Sequence, residues 1–359
     1  MKKLQVLLFA ILLLGVGVGK GQYNVLLNFN GANGQSPLGS LIISGKTLFG
    51  MTEAGGIYGA GNVFSIDTDG TRGKDVFDFN FTNGAVPNGD LSLVGGRLYG
   101  ITPLGGGMSN GNIFTVDTNG NGFKDLFVFN GLNGAQPYGS LTILGGKMYG
   151  MTNGGGTNQD GIIFSIDTNG NGFNTIFNFN GTDGKYPNGN LTFSNGKFYG
   201  MTYGGGTDNY GCVFSIDTNG NNYKVLLDFN GVNGKTPYGS LLLSGKKLYG
   251  MTYEGGLLDS GNVFSIDTNG NNYKDLLDFN TSNGKNPWGS LILIGKRLYG
   301  MTYMGGANLN GCIFSVDTDG GYYNDKYDFS SALGEQPLAS LISSGKNLYG
   351  TVNLQHKVD

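Results

Sequence analysis

The chain has 359 residues, 38% of them hydrophobic and 12% aromatic, with 69 glycines and a formal net charge of −3. That much apolar surface excludes a disordered glycine-rich linker, which could not offset its chain entropy, and the glycines do not fall every third residue as in collagen. Charged residues make up 13%, and no basic run exceeds short pairs such as Lys246–Lys247, so the electrostatic footprint of a nucleic-acid binder is missing.

The first element in chain order is "MKKLQVLLFAILLLGVGVGKGQYN". Lys2 and Lys3 form a positive n-region, Leu4 to Leu14 a mostly apolar h-region, and Gly15, Gly17, Gly19 and Gly21 offer small residues for cleavage. The pattern predicts a signal peptide over 1–21, a secreted or cell-surface protein, and no membrane span once the leader is removed. An uncleaved anchor is the competing reading, but the apolar stretch is short for a spanning helix and runs straight into the first repeat.

From there the chain repeats itself every 50 residues. "LYG" or a variant ends at Gly50, Gly100, Gly150, Gly200, Gly250, Gly300 and Gly350, and "FSID" or a variant ends at Asp67, Asp117, Asp167, Asp217, Asp267 and Asp317. Such a period is the mark of a repeat architecture in which each unit buries its faces against its neighbours. Within residues 239–280 the expected strands are "GSLLLS", "KLYGMTY", "NVFSID" and "KDLLDFN", with an Asn-Gly hairpin signal in "TNGN". No window has helical periodicity, and apolar groups on both strand faces suit sheets covered on both sides.

Four strands per repeat predict an all-β fold, a β-propeller of antiparallel blades. Complete blades are expected near 39–80, 89–130, 139–180, 189–230, 239–280 and 289–330. An orphan strand at the start (23–30) and two at the end (338–350) add up to a seventh, composite blade. Its third strand is missing from the repeat pattern, so seven blades are expected with the last one short by a strand. The propeller is expected to fill 22–353 as a single domain, with 354–359 an aberrant or truncated tail.

"GGRLYGITPLGG", "GNVFSIDTNG" and "FNGVNGKTPYGSL" together resemble the GloVer tandem repeat of exported bacterial proteins. The resemblance covers 25–353. It departs from the family pattern in Met-Thr or Ile-Thr where Thr-Thr is usual, and in Asn where Asp is usual before the turn glycine. The resemblance implies an exported, propeller-like repeat protein and brings no catalytic residues. The paired glycines after the second strand, Gly255–Gly256, are loosely similar to kelch repeats, but the kelch Trp is absent from the fourth strand.

Residues shared by all repeats, such as the seven turn prolines from Pro37 to Pro337, are best read as structural. Function is expected where repeats differ, on loops. Aromatics gather on one sector of one face: Tyr203, Tyr238, Tyr253, Trp288 and Tyr303, with Tyr138 nearby. Exposed rings among Asn and Gly suit stacking on a glycan or gripping a peptide, and would equally serve to cap the blade ends. On the opposite face "DTNGNGFKD" sets Asp117, Asn119, Asn121 and Asp125 at the oxygen spacing of a calcium loop, although Asp and Asn before Gly are also what a tight hairpin needs.

Catalysis has few candidates. His356 is the only histidine and lies in the tail, which excludes a Ser-His-Asp triad or a His-ligated metal. Asp90 alone puts an acid at the head of an inner strand and could pair with Glu53 or Glu254 for glycoside chemistry. Cys212 and Cys312 hold one position in repeats two apart, beyond disulfide reach, and read as buried thiols. The expectation is a non-catalytic module needing no cofactor beyond the calcium candidate. It would bind a glycan or peptide, with a structural or adhesive scaffold and an Asp90-dependent enzyme as alternatives.

Overall fold

The computed structural model describes residues 5–12, 22–332 and 334–354. The leader residues outside 5–12 and 22 onward, and the tail 355–359 with His356, lie outside the described residues. Among the described residues no helix is long and apolar enough to cross a membrane.

Six blades repeat one plan. The first is an antiparallel sheet of Ile42–Ser44, Thr47–Thr52, Asn62–Asp67 and Lys74–Asp78 in that order, and the five that follow reproduce it at steps of 50 residues. The innermost strand has three residues, because the strands converge on an axis and leave little room there. The third strand is the most deeply buried: Val63, Phe64, Ser65 and Ile66 are all covered, so both of its faces are spent. Apolar residues therefore run consecutively along it instead of alternating.

The core lies between sheets. Tyr199, Met201, Val213 and Phe229 of the fourth blade pack against Leu241, Leu248, Phe264 and Ile266 of the fifth, and equivalent clusters fill the other gaps. Stacked aromatic pairs bridge neighbours at the outer edge, as in Phe77–Phe123 at 4.2 Å and Phe177–Tyr223 at 4.2 Å. Buried polar pairs recur along the chain. Asn112 donates to Asp125 at 3.1 Å and Asn262 to Asp275 at 3.3 Å, whereas the third blade carries Ile162 and Thr175 at those places. A buried amide needs an acceptor, and the third blade replaces both members, whereas the sixth keeps Asp325 with Cys312 in place of the amide. Cys212 and Cys312, at the same position as Asn112, are free, buried thiols whose pKa burial pushes up to about 12.

The expected seven blades with a short last one are corrected here. The structure has six blades of four strands, each folded from one repeat, and the ring is closed by a sheet of different construction. Its order is Gln22–Phe29, Gln5–Leu12, Asn347–Leu354, Ile342–Ser344. It is not short: Gln5–Leu12, from within the expected leader, lies between the two chain ends, Leu8 pairing with Leu27 on one side and Thr351 on the other. The repeat pattern could not reveal this strand, because an apolar stretch next to two lysines reads as a leader and carries none of the repeat's motifs. The closing sheet packs on both neighbours, through Phe29 and Tyr349 to Leu41, Leu48 and Phe64, and through Leu341, Leu348 and Val352 to Tyr299, Met301 and Ile313.

Candidate functional site

The inner strands meet around an axial cavity of about 230 Å³. The chain arrives at five of the inner strands through a turn of one kind, whereas the turn from Asn180 to Asp183 keeps only part of it and Ser330 stands where the others have Asn. In the turn after the fourth blade, Asn230 and Asn233 exchange hydrogen bonds, the Asn230 N–H to Asn233 Oδ1 at 2.8 Å and the Asn233 N–H to Asn230 Oδ1 at 3.0 Å. Pro237 follows, buried, and sets Tyr238 at the cavity mouth. The equivalent mouth residues are Leu38, Asn88, Tyr138, Asn188, Trp288 and Leu338.

Two positions further on, the strands are tied in a closed ring of hydrogen bonds. The Ser40 N–H donates to Asp90 Oδ1 at 2.5 Å, Asp90 to Ser140 Oγ at 2.5 Å, and Ser140 to Asn190 Oδ1 at 2.6 Å. Asn190 donates to Ser240 Oγ, Ser240 to Ser290 Oγ and Ser290 to Ser340 Oγ, each at 2.7 Å, and Ser340 returns to Ser40 Oγ at 3.1 Å. The ring fixes the angular order of every side chain in the cavity. Counting round it, Asp90 stands opposite the sector between Ser240 and Ser290.

That sector carries the aromatic wall. Tyr238 stacks on Trp288 with ring centroids 3.8 Å apart, Tyr203 meets Tyr238 at 5.0 Å, and Tyr253 meets Tyr238 and Trp288 edge-on at 5.2 and 5.5 Å. All are half-buried, and burial, followed by the hydrogen bond that its hydroxyl donates to Tyr203, pushes the Tyr238 pKa upward. Of the six ring residues expected from the sequence, Tyr138, Tyr238 and Trp288 line the cavity. Tyr203 and Tyr253 buttress the stack from outside, Tyr303 lies close enough to Tyr253 to raise its pKa by charge, and Tyr138 stands apart from the cluster.

The opposite wall is polar and acidic. Asp90 Oδ2 lies 3.4 Å from Asn190 Nδ2. Asn88 Oδ1 is buried without a hydrogen-bond partner. Glu53 holds the place from which Asn153 reaches Asn188 at 2.9 Å and Tyr203 reaches Tyr238, and so flanks Asn88. Burial holds the Glu53 carboxyl above the usual glutamate range, and burial together with the Glu53 charge raises Tyr138. Among the described residues no Lys, Arg or His lines the cavity. The sequence singled out Asp90 and Glu53 and places Asn88 two residues before Asp90, but that Asn88 Oδ1 is buried without a partner is visible only in the structure. Glu254, the other suggested partner of Asp90, does not line the cavity and is ion-paired with Lys235 at 3.4 Å.

The calcium candidate is not assembled. Asp117 is held by Arg97 at 2.6 Å, and Asn119 Oδ1 caps its own turn by accepting the Asn121 N–H at 2.9 Å. Asp125 pairs in register with Phe114, three residues before Asp117, and turns to Asn112; three strand residues span roughly 10 Å. Among the described residues no three His, Cys, Asp or Glu side chains are grouped to hold a metal.

A sequence profile described as a Gloeobacter/Verrucomicrobia repeat matches residues 15–209 and 145–357. No curated protein matches the chain. Among solved structures, the nidogen/laminin complex contains a chain 14% identical, with 86% of this chain and 97% of that one covered at a TM-score of 0.51. A TolB candidate from Agrobacterium tumefaciens is 12% identical, covering 98% and 99%, at 0.51. A 6-phosphogluconolactonase candidate from Bacteroides fragilis is 16% identical, covering 94% and 97%, at 0.52. At these identities the likeness is one of fold alone.

Proposed function

Because the chain belongs to the Gloeobacter/Verrucomicrobia repeat family, a β-propeller of tandem repeats, we propose that it is an exported, non-catalytic binding module that captures a glycan at the mouth of its axial cavity. The observation that supports this is the stacked Tyr238–Trp288 pair set into the cavity wall, with one face of each ring spent on the other and both still lining the space. Aromatic rings with a polar tip suit the alternating apolar and hydroxylated faces of a sugar. The cavity is smaller than the ~300–1,000 Å³ typical of a small-molecule cleft, which favours one or two terminal residues of a glycan over an enclosed ligand.

Trp288 is the only tryptophan, so its fluorescence reports on this wall. Titration with soluble polysaccharides is expected to give a saturable change that Trp288→Phe abolishes. Silence across polysaccharides, with the ring shielded from quenchers, would mean that the rings are a packed cap and the protein a scaffold. Export is tested by the N-terminus of protein recovered from the growth medium. A start between residues 16 and 22 is the expected result and would leave the closing sheet of the mature protein without Gln5–Leu12, whereas a start at Met1 would overturn leader removal and keep that strand between Gln22–Phe29 and Asn347–Leu354.

A further inference from the structure

The two walls of the cavity differ in kind, and their placement across the axis constrains what can lie between them. On one side are the Tyr238 and Trp288 rings. On the other is Asp90, whose carboxylate accepts the Ser40 N–H at one oxygen and lies 3.4 Å from Asn190 Nδ2 at the other. Among the described residues no Lys, Arg or His lines the cavity to answer that carboxylate. A neutral hydroxyl would satisfy one acceptor with its single proton. An ammonium group brings three donors and no acceptor, together with the charge that the wall lacks.

We infer that the cavity selects an amino sugar, with the sugar ring against Tyr238 and Trp288 and its ammonium group directed at Asp90. The inference rests on the reading of the mouth as a saccharide site and narrows it to a class.

The test compares four probes by calorimetry: β-1,4-linked trimers of glucosamine, of N-acetylglucosamine and of glucose, and trilysine. The glucosamine trimer is expected to bind about tenfold more tightly than the other two saccharides, the scale of one charge-assisted hydrogen bond. In Asp90→Asn that ratio is expected to fall to near one. The variant should fold, because Asn190 occupies the same position in the ring and accepts the Ser140 N–H at 2.6 Å as Asp90 accepts that of Ser40. Equal binding of all three trimers to the native protein, or a ratio that survives Asp90→Asn, would overturn amine selection and leave the saccharide reading standing. Trilysine binding as tightly as the glucosamine trimer would overturn it in favour of a basic peptide. Failure of every trimer would overturn the saccharide reading itself, and amine selection with it.

Discussion

The two ends of the propeller treat the same repeats differently. At the turn end, the N–H groups of Asp67, Asp117, Asp167, Asp217, Asp267 and Asp317 each donate to the carbonyl four residues on, and every one of those bonds is 2.9 Å. At the cavity mouth the equivalent positions hold Leu38, Asn88, Tyr138, Asn188, Tyr238, Trp288 and Leu338. A tight backbone turn has one solution, so the same residues recur wherever it is needed. A side chain that faces an open cavity has no such constraint, and its identity varies from repeat to repeat. Between the two ends lies the ring of inner strands, where the constraint returns: a Cβ on Gly239 would sit 2.2 Å from the Gly289 carbonyl oxygen.

The contrast can be broken at the ring. Gly239→Ala is expected to destabilise by about 3 kcal/mol, because the clash is with backbone and cannot be relieved by a rotamer change. Ala339→Gly, which makes the closing sheet like the rest, should cost less than about 1 kcal/mol. Urea unfolding measures both. At the mouth the opposite profile is expected. Trp288→Ala should weaken glycan binding by about 2 kcal/mol, roughly thirtyfold, with little change in unfolding midpoint. Tyr253→Ala, removing only edge-on support, should weaken it less.

The buried pairs sharpen the comparison between blades. Asn112→Ile alone leaves Asp125 without its donor and should cost about 1–3 kcal/mol, whereas adding Asp125→Thr, the third blade's own solution, should bring stability back to within about 1 kcal/mol.

A smaller effect belongs to Glu53. Burial raises its folded pKa above the unfolded value of about 4.3, so between the two values the folded state binds more protons and stability falls as pH rises. Glu53→Gln should therefore melt higher than the native protein at pH 7 and equally below about pH 4, where both side chains are neutral. The smallest change is expected at the turn end. Calcium or a chelator should leave the melting temperature unmoved, and Arg97→Met should cost no more than about 1 kcal/mol, since the Arg97–Asp117 pair is partly exposed.

Much of the architecture was legible because it is local and repeated. The strand order within residues 239–280, the Asn-Gly turns and the burial of Cys212 and Cys312 follow from a period of 50 residues and from alternation that collapses into continuous apolar runs. The aromatic sector could be named residue by residue, since positions after Pro237 and Pro287 must emerge at one end of their blades. The place of Gln5–Leu12 was hidden because a strand's partners are not written in its own residues. Its apolar composition suits a leader and a closing strand equally, and only the meeting of both chain ends puts it between Gln22–Phe29 and Asn347–Leu354.

By itself, then, the sequence determined the repeat, the blade and the residues that reach the mouth, all of which are matters of spacing along the chain. The tertiary structure alone decided that six regular blades are closed by a composite sheet, that Asp117 belongs to Arg97, and that Asp90 and Asn88 face Tyr238 and Trp288. Arg97 and Asp117 are 20 positions apart on paired strands of one blade. The pairing of the two chain ends in the closing sheet and the facing of Asp90 and Asn88 with Tyr238 and Trp288 are relations between residues more than 140 positions apart. They exist only once the ring closes, because the hydrogen bond from Ser340 to Ser40 is what brings the ends of the chain into register.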